Sequence, residues 1–227
     1  MRALTILTAM TLAACGGNSA QQDARSAAPP PASAPAPAAA APADTRPAIV
    51  VFGDSIAAGF GLDAGQSFPD LLQRDLDRRG KAFRVVNMGV SGDTTQDGAA
   101  RMDLALQVKP AIVLLELGGN DGLRGLPLSA TRQNLAAMID AFQKAGAKVV
   151  LAGMKLPPNY GPDYTAKFEA LYRDLAAKYE VRLIPFLLEG VGGDRRYMQR
   201  DGLHPNAQGA RKVEALAMQA LEPLLGR

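Results

Sequence analysis

"VVFGDSIAAGFG", Val50 to Gly61, is the stretch on which the reading of the chain turns. It closes a short apolar, β-branched run that begins as "PAIVVFG" at Pro47 and stops at Gly53. Such a run, bounded by proline and glycine, reads as a buried strand. Ser55 follows, with Gly53 and Gly59 on either side. Serine just past a strand fits two roles. It is common in turns and at helix N-caps, and it is also the residue a sheet would present at its rim as a nucleophile.

Beyond this stretch, strand and helix patterns alternate. "SFPDLLQRDLDRRG" (Ser67 to Gly80) carries Phe68, Leu71, Leu72, Asp75 and Leu76 at helical spacing, opens on serine and closes on basic residues and glycine, so both ends carry helix signals. "FRVVNMG" (Phe83 to Gly89) predicts a second strand, and a helix follows over about Thr95 to Gln107. "PAIVLLELGG" (Pro110 to Gly119) is apolar on both faces, as a central strand of a covered sheet must be. Ser129 to Lys144 predicts a helix and "KVVLAGM" (Lys148 to Met154) a fourth strand. Tyr164, Phe168, Leu171, Tyr172, Leu175 and Tyr179 form one helical stripe, "VRLIPF" (Val181 to Phe186) a fifth strand, and Ala207 to Leu221 a last helix that buries Ala210, Val213, Ala217 and Leu221. Strict alternation means parallel strands joined by crossover helices. The predicted class is α/β: a three-layer α/β/α sandwich around a central parallel sheet of about five strands.

Bulk properties narrow the function. The chain has 227 residues, 48% of them hydrophobic, enough for one domain with a sizeable core. The net charge of +3 is small, the Lys and Arg residues are scattered and Trp is absent, so no nucleic-acid surface is expected. One cysteine, Cys15, allows neither an internal disulfide nor a cysteine pair for structural zinc. One histidine, His204, must carry any imidazole chemistry. "GFGLDAG" is glycine-rich but fits neither the dinucleotide fingerprint nor the Walker pattern, and no cofactor is expected.

The first 46 residues read as something other than domain. "MRALTILTAMTLAAC" has a basic residue, a short apolar stretch and then small residues, the layout of a secretory signal over residues 1–14. The apolar stretch falls short of the roughly 20 residues that span a bilayer. Leu12-Ala13-Ala14-Cys15 resembles a bacterial lipobox, which implies cleavage before Cys15 and lipidation of its thiol; the alternative is a plain secreted protein whose Cys15 is removed or unused. Gly16 stands where many Gram-negative lipoproteins carry an inner-membrane retention aspartate, which favours the outer membrane, on its periplasmic side. Residues 15–46, with "AAPPPASAPAPAAAAPAD", cannot bury a core and read as a tether. Extended, about thirty such residues reach at most about 90 Å.

In open parallel sheets ligands bind beyond the carboxyl ends of the strands. The unusual polar residues of residues 47–227 all fall there: Asp54 and Ser55 after the first strand, Ser91, Gly92 and Asp93 after the second, Asn120 and Asp121 after the third, Asp201 and His204 before the last helix. Serine needs a base within hydrogen-bond reach, and only His204 supplies an imidazole. Asp201, three residues earlier in "DGLHPN", is placed to fix its tautomer. Acyl transfer also needs donors for a developing oxyanion, for which the Asn120 amide and the Gly92 N–H are suited. Taken singly, Ser55 reads better as a turn residue, Asn120 as an Asx-turn and His204 as a surface or capping residue, and Gly92 says almost nothing; their convergence on one rim reverses that and favours chemistry.

"GDSI", "SGDTT", "GGND" and "DGLH" resemble, in order, the four blocks of the SGNH (GDSL) hydrolases over essentially all of Pro47 to Arg227. "NMGVSGDTTQDG", "LELGGNDGLRGLP" and "MKLPPNYGPDY" are closest to the bacterial multifunctional acyl-esterase, thioesterase and lysophospholipase group. The namesake leucine is Ile56 here. The resemblance implies a serine esterase with Ser55, Asp201 and His204 as the triad, and Ser55, Gly92 and Asn120 as the oxyanion hole. It also implies an acyl site walled by Leu123, Leu126 and Leu128 of "GLRGLPLS", faced by "PPNYGPDY", the alternative being simple packing of that loop. Three other readings stand: a short-chain carbohydrate acetyl esterase on the same fold, a metal-dependent phosphoesterase on Asp54, Asp93, Asp121 and Asp201, and a tethered binding lipoprotein. For the favoured reading no metal is expected, and the partners are an acyl-ester or lysophospholipid substrate and, through Cys15, a membrane.

Overall fold

The computed structural model describes residues 44–226; the signal segment, Cys15 and the tether up to residue 43 lie outside them. Five strands and seven helices follow one another from Ala48. They are β1 (Ala48–Gly53), α1 (Ser55–Ala58), α2 (Phe68–Arg78), β2 (Arg84–Gly89), α3 (Thr95–Gln107) and β3 (Ile112–Glu116), then α4 (Gly119–Leu123), α5 (Leu128–Lys144), β4 (Lys148–Ala152), α6 (Pro162–Lys178), β5 (Arg182–Ile184) and α7 (Ala207–Leu221). The strands form one sheet in the order β2-β1-β3-β4-β5, every pair parallel. On the layers beside it, α2 packs with α7, while α3, α5 and α6 pack in a row. This is the expected three-layer α/β/α sandwich.

Burial explains the strand order. β1 and β3 are buried at every position, as their unbroken apolar runs require, and they occupy the middle of the sheet. β2 is only partly buried and lies at one edge. At the other edge β5 stops at Ile184, shorter than its apolar run, because Pro185 has no N–H to continue a ladder. β3 is also shorter than its apolar run: Lys109 enters at φ 53 and Gly118 leaves at φ 110. Helix starts carry the side chains that satisfy their free N–H groups. Ser67 accepts from Asp70 N at the head of α2, Asn206 accepts from Gln208 N and Gly209 N at the head of α7, and Thr94 with Asp97 forms a reciprocal capping box on α3.

The carboxyl ends of β1 and β2 are tied together. Arg101 on α3 donates to the carbonyls of Gly53 (2.8 Å) and Met88 (2.9 Å), and its Nε pairs with Asp93 Oδ2 at 2.6 Å. Its guanidinium lies 4.1 Å from the centroid of the Phe52 ring, a cation–π contact. The turn from β1 into α1 then passes through a gap with no spare volume. A Cβ on Gly89 would overlap the Ala58 amide nitrogen and lie 2.7 Å from the Ala57 carbonyl carbon. Because the obstacle is backbone, Gly89→Ala should overpack this site and lower stability by about 1–3 kcal/mol. Urea denaturation should show an earlier midpoint with an unchanged m-value. A midpoint equal to wild type would mean that the turn shifts freely.

Candidate active site

Ser55 opens α1, and Asp54 caps it: the Asp54 carboxylate accepts from Ile56 N at 3.0 Å. Being the first helical residue, Ser55 has a backbone N–H without an intrahelical acceptor. Its hydroxyl faces the loop before α7, where His204 Nε2 stands 2.8 Å from Ser55 Oγ. His204 Nδ1 is 2.7 Å from Asp201 Oδ2, and Asp201 Oδ1 accepts from the N–H groups of Leu203 (2.9 Å) and His204 (3.1 Å). An ionised carboxylate only accepts, so Nδ1 carries the proton and Nε2 is left to accept from the serine hydroxyl. Burial raises the Asp201 carboxyl, but hydrogen bonds from the His204 ring and from the two backbone N–H groups outweigh it and hold it below the ordinary range.

The histidine loop is held from several sides. Gln199 N donates to His204 O (2.8 Å), and Gln199 Nε2 donates to the carbonyls of Phe60 (2.6 Å) and Pro205 (3.0 Å). The Phe60 ring packs on the imidazole at a centroid distance of 4.6 Å. These contacts place the imidazole before any ligand arrives. The sequence pattern pointed to Asp201 and His204 but to neither Gln199 nor Phe60, which lie 139 residues apart in the chain and carry no motif linking them.

Asn120, in the one-turn helix α4, lies on the wall of the same cleft as Ser55 and His204. Its Nδ2 donates to Asp93 O (2.9 Å) and Asp54 Oδ2 (3.2 Å). Two acceptors on this side fix which amide atom is nitrogen. Gly92 is one residue from the Asp93 carbonyl, at φ 89, and its own carbonyl accepts from Arg124 (2.8 Å). Gly92 does not itself line the cleft volume.

The cleft measures about 520 Å³ and is mostly apolar, with Leu123, Met154, Leu156, Pro157, Phe186 and Leu188 among its walls. Of the three leucines expected there, only Leu123 lines it. Leu126 and Leu128 are turned elsewhere by the end of α4 and the Gly125 turn (φ 63). Leu126 N bonds back to Asp121 O and its carbonyl accepts from Tyr164, while Leu128 starts α5 and packs against the core. The facing segment contributes Pro157 and Pro158, and the Tyr160 hydroxyl donates to Leu123 O at 2.8 Å.

The four rim carboxylates do not converge. Asp93 pairs with Arg101, Asp201 with His204, and buried Asp121 accepts from Thr95 N (2.8 Å) and Thr131 Oγ1 (3.2 Å). Asp54 instead belongs to a carboxyl pair that the sequence reading did not single out. Its partner is Glu116, the last residue of β3, wholly buried. Glu116 Oε2 accepts from Asp54 N (3.1 Å) and Ala57 N (3.3 Å). The available signal was one acidic residue inside an otherwise apolar strand, a type almost never buried without a partner.

A sheet of this order with a serine–histidine–aspartate chain at its carboxyl edge is the framework of a hydrolase. The comparisons make the class specific: residues 51–212 match the GDSL-like lipase/acylhydrolase family, and the chain belongs to that family, as its four blocks suggested. It is an ester hydrolase of the SGNH type. It is 47% identical over 178 residues to esterase TesA of Pseudomonas aeruginosa, covering 78% of this chain and 89% of that one. It is 40% identical over 178 residues to thioesterase 1/protease 1/lysophospholipase L1 of Escherichia coli K12, covering 78% and 84%. A crystal structure of TesA matches with a TM-score of 0.76 at 46% identity, over 78% of this chain and 99% of that one.

The carboxyl pair makes stability depend on pH. Burial pushes Asp54 up to about 6 against the opposing pull of the Ile56 N–H, and burial with the nearby Asp54 charge pushes Glu116 well above its usual range. A raised acid stabilises the fold at low pH and loses that contribution as pH climbs through its folded-state value. Carboxylates held low, such as Asp97, Asp194 and Asp201, complete their change below about pH 5, so the interval from about 5 to 8 isolates the raised ones. Across it the wild-type urea midpoint should decline more steeply than that of Asp54→Asn. Parallel profiles would show that Asp54 is already ionised at the acid end.

Proposed function

We propose that the protein hydrolyses acyl esters through an acyl-enzyme on Ser55. The observation that carries this reading is the unbroken Ser55–His204–Asp201 hydrogen-bond chain at the wall of an apolar cleft. His204 Nε2 takes the Ser55 proton as Oγ bonds to the substrate carbonyl carbon. The carbonyl oxygen becomes an oxyanion, met by the Ser55 and Gly92 N–H groups and the Asn120 amide. When the intermediate collapses, the bond to the leaving alcohol breaks and His204 returns the proton to that alcohol. Water then repeats the sequence and frees the acid. Asp201 holds the tautomer and steadies the imidazolium.

Substrate preference follows from the walls. The acyl chain lies along Leu123, Leu156 and Phe186, a surface that an acetyl group would leave unused. Beyond Asp201 a second groove, lined by Arg195 and Arg200, shares Gly193, Met198 and Gly202 with the cleft. Its charge suits an anionic leaving group such as the headgroup side of a lysophospholipid, in keeping with the name of the Escherichia coli relative. A fluorophosphonate should label one site, and Ser55→Ala should abolish both labelling and ester turnover. Esters of graded chain length should be cleaved faster as the chain lengthens from acetyl towards decanoyl. Labelling that survives Ser55→Ala removes the serine from the mechanism; rates highest on acetylated sugars would favour the short-chain reading instead.

We also propose that Cys15 is the mature N-terminus and carries lipid, with residues 16–46 as the tether. The lipobox-like Leu12-Ala13-Ala14-Cys15 supports this, as does the lack of any other cysteine. Outer-membrane attachment on the periplasmic side fits Gly16 at the following position. Cys15→Ser should shift the protein from the membrane to the soluble fraction, and an intact mass with an unmodified Cys15 thiol would refute the anchor.

A further inference from the structure

The Asn120 amide has two N–H bonds, and both are spent. One goes to Asp93 O at 2.9 Å, the other to Asp54 Oδ2 at 3.2 Å. An amide that must also meet an oxyanion has to release one of them, and the longer bond to Asp54 is the one to yield. How tightly Asp54 holds that N–H therefore bears on the oxyanion hole. The group that sets this is Glu116.

Glu116 is wholly buried, and no cation pairs with it among the described residues. Its two backbone donors, Asp54 N and Ala57 N, both land on Oε2. Oε1 has no hydrogen-bond partner, and the Glu116 and Asp54 carboxyl groups lie within hydrogen-bonding reach of each other. Two adjoining buried carboxyls cannot both be ionised, so one holds a proton. Asp54 receives donors on both oxygens, Ile56 N on Oδ1 and Asn120 Nδ2 on Oδ2. Glu116 has one oxygen saturated and one empty. The proton therefore belongs to Glu116, whose free Oε1 can carry it. The other ionisable groups facing the pair are Asp93, His204, Asp121 and Tyr172, with Arg101 bound to the Gly53 carbonyl next door. None of them donates a hydrogen bond to Oε1.

We propose that Glu116 acts as a neutral carboxylic acid that donates to Asp54, draws the Asp54 charge away from Asn120, and so leaves the Asn120 N–H free to turn to the oxyanion. It is a positioning residue: it touches no substrate and works through Asp54. Through Oε2 it also holds the two N–H groups that flank Ser55. The proposal rests on the acyl-enzyme reading above for its kinetic consequence, while the protonation of Glu116 stands apart from it.

Two substitutions separate the parts. Glu116→Gln keeps a carbonyl for Asp54 N and Ala57 N and an N–H for Asp54, so it reproduces the neutral acid. Glu116→Met keeps the volume and removes both. On one long-chain ester, Glu116→Met should lose kcat about tenfold or more with KM little changed, against roughly 10²–10³ for outright loss of an oxyanion donor. Glu116→Gln should recover most of kcat. Infrared spectra at mildly alkaline pH should show a protonated-carboxyl C=O band in the wild type that Glu116→Gln lacks; this reading needs only the folded protein. The proposal is overturned by a wild-type spectrum without that band, by a Glu116→Gln variant as slow as Glu116→Met, or by full kcat in Glu116→Met. Failure of the acyl-enzyme reading would appear separately, as a wild type that fluorophosphonate does not label.

Discussion

The architecture of the site depends on one close-packed point, the turn where β1 becomes α1. Three chain segments meet there within contact distance. Gly53 lies against Glu116 of β3, so that a Cβ would collide with the Glu116 side-chain oxygen Oε2 and stand 2.8 Å from its carbonyl oxygen. Gly89 of β2 lies against the backbone of Ala57 and Ala58. Interiors packed at crystalline density transmit displacement rather than absorb it, so the position of Ser55 is fixed by its two neighbouring strands. Hydrogen bonds reinforce the steric confinement. Asn87 Nδ2 donates to Ala57 O at 2.8 Å, and Glu116 accepts from both Asp54 N and Ala57 N. A serine on a free turn would have to be ordered on binding, at a cost of roughly 1–2 kcal/mol per backbone residue. Here that cost is met in folding.

The second half of the site is held by a different device. The loop from Met198 to Pro205 is irregular, yet it is tied at both ends: Met198 and Pro205 form an isolated bridge, and Asn206 both caps α7 and donates to Arg196 O (2.9 Å). Asp201 then needs no help from elsewhere in the fold, because its spacing to His204 is local and its second oxygen is filled by backbone N–H groups. The serine half thus gains its precision from strand packing and the histidine half from loop hydrogen bonding. Gln199, which donates to Phe60 O as well as Pro205 O, links the two beside the Ser55–His204 hydrogen bond itself.

Most of this was legible in the chain. Unbroken apolar runs named β1 and β3 and put β3 at the centre, and the residues after each strand named the rim, because in a parallel sheet strand ends share one edge. Two short elements escaped. α1 and α4 span four and five residues, too few to show a helical period. Missing α4 had a consequence: without its turn, Leu123, Leu126 and Leu128 read as one wall, whereas the turn at Gly125 separates the first from the other two. Glu116 escaped for another reason. Within "PAIVLLELGG" Glu116 is a single acidic residue whose partner cannot be read from the run itself; only the approach of Asp54 from 62 residues away shows it as half of a buried carboxyl pair.

A buried acid pair beside an oxyanion hole is at first sight misplaced, since negative charge opposes the negative charge that develops in acyl transfer. Its presence is explained by the backbone it serves. The N–H groups of Asp54 and Ala57 point into the sheet, where no water reaches them, and an unpaired buried N–H costs about 1–3 kcal/mol. A strand-borne carboxyl oxygen satisfies both at once, which no apolar residue can do. The remaining difficulty is charge, and the pair limits it by holding one proton between two carboxyls. The single residual charge lies on Asp54, which bonds to the Ile56 N–H of the serine-bearing helix and to the Asn120 amide. Burial of that charge is a standing cost to stability, of the kind proteins retain where a site requires it. The same contacts that cap α1 therefore set the electrostatic background against which an oxyanion on Ser55 has to form.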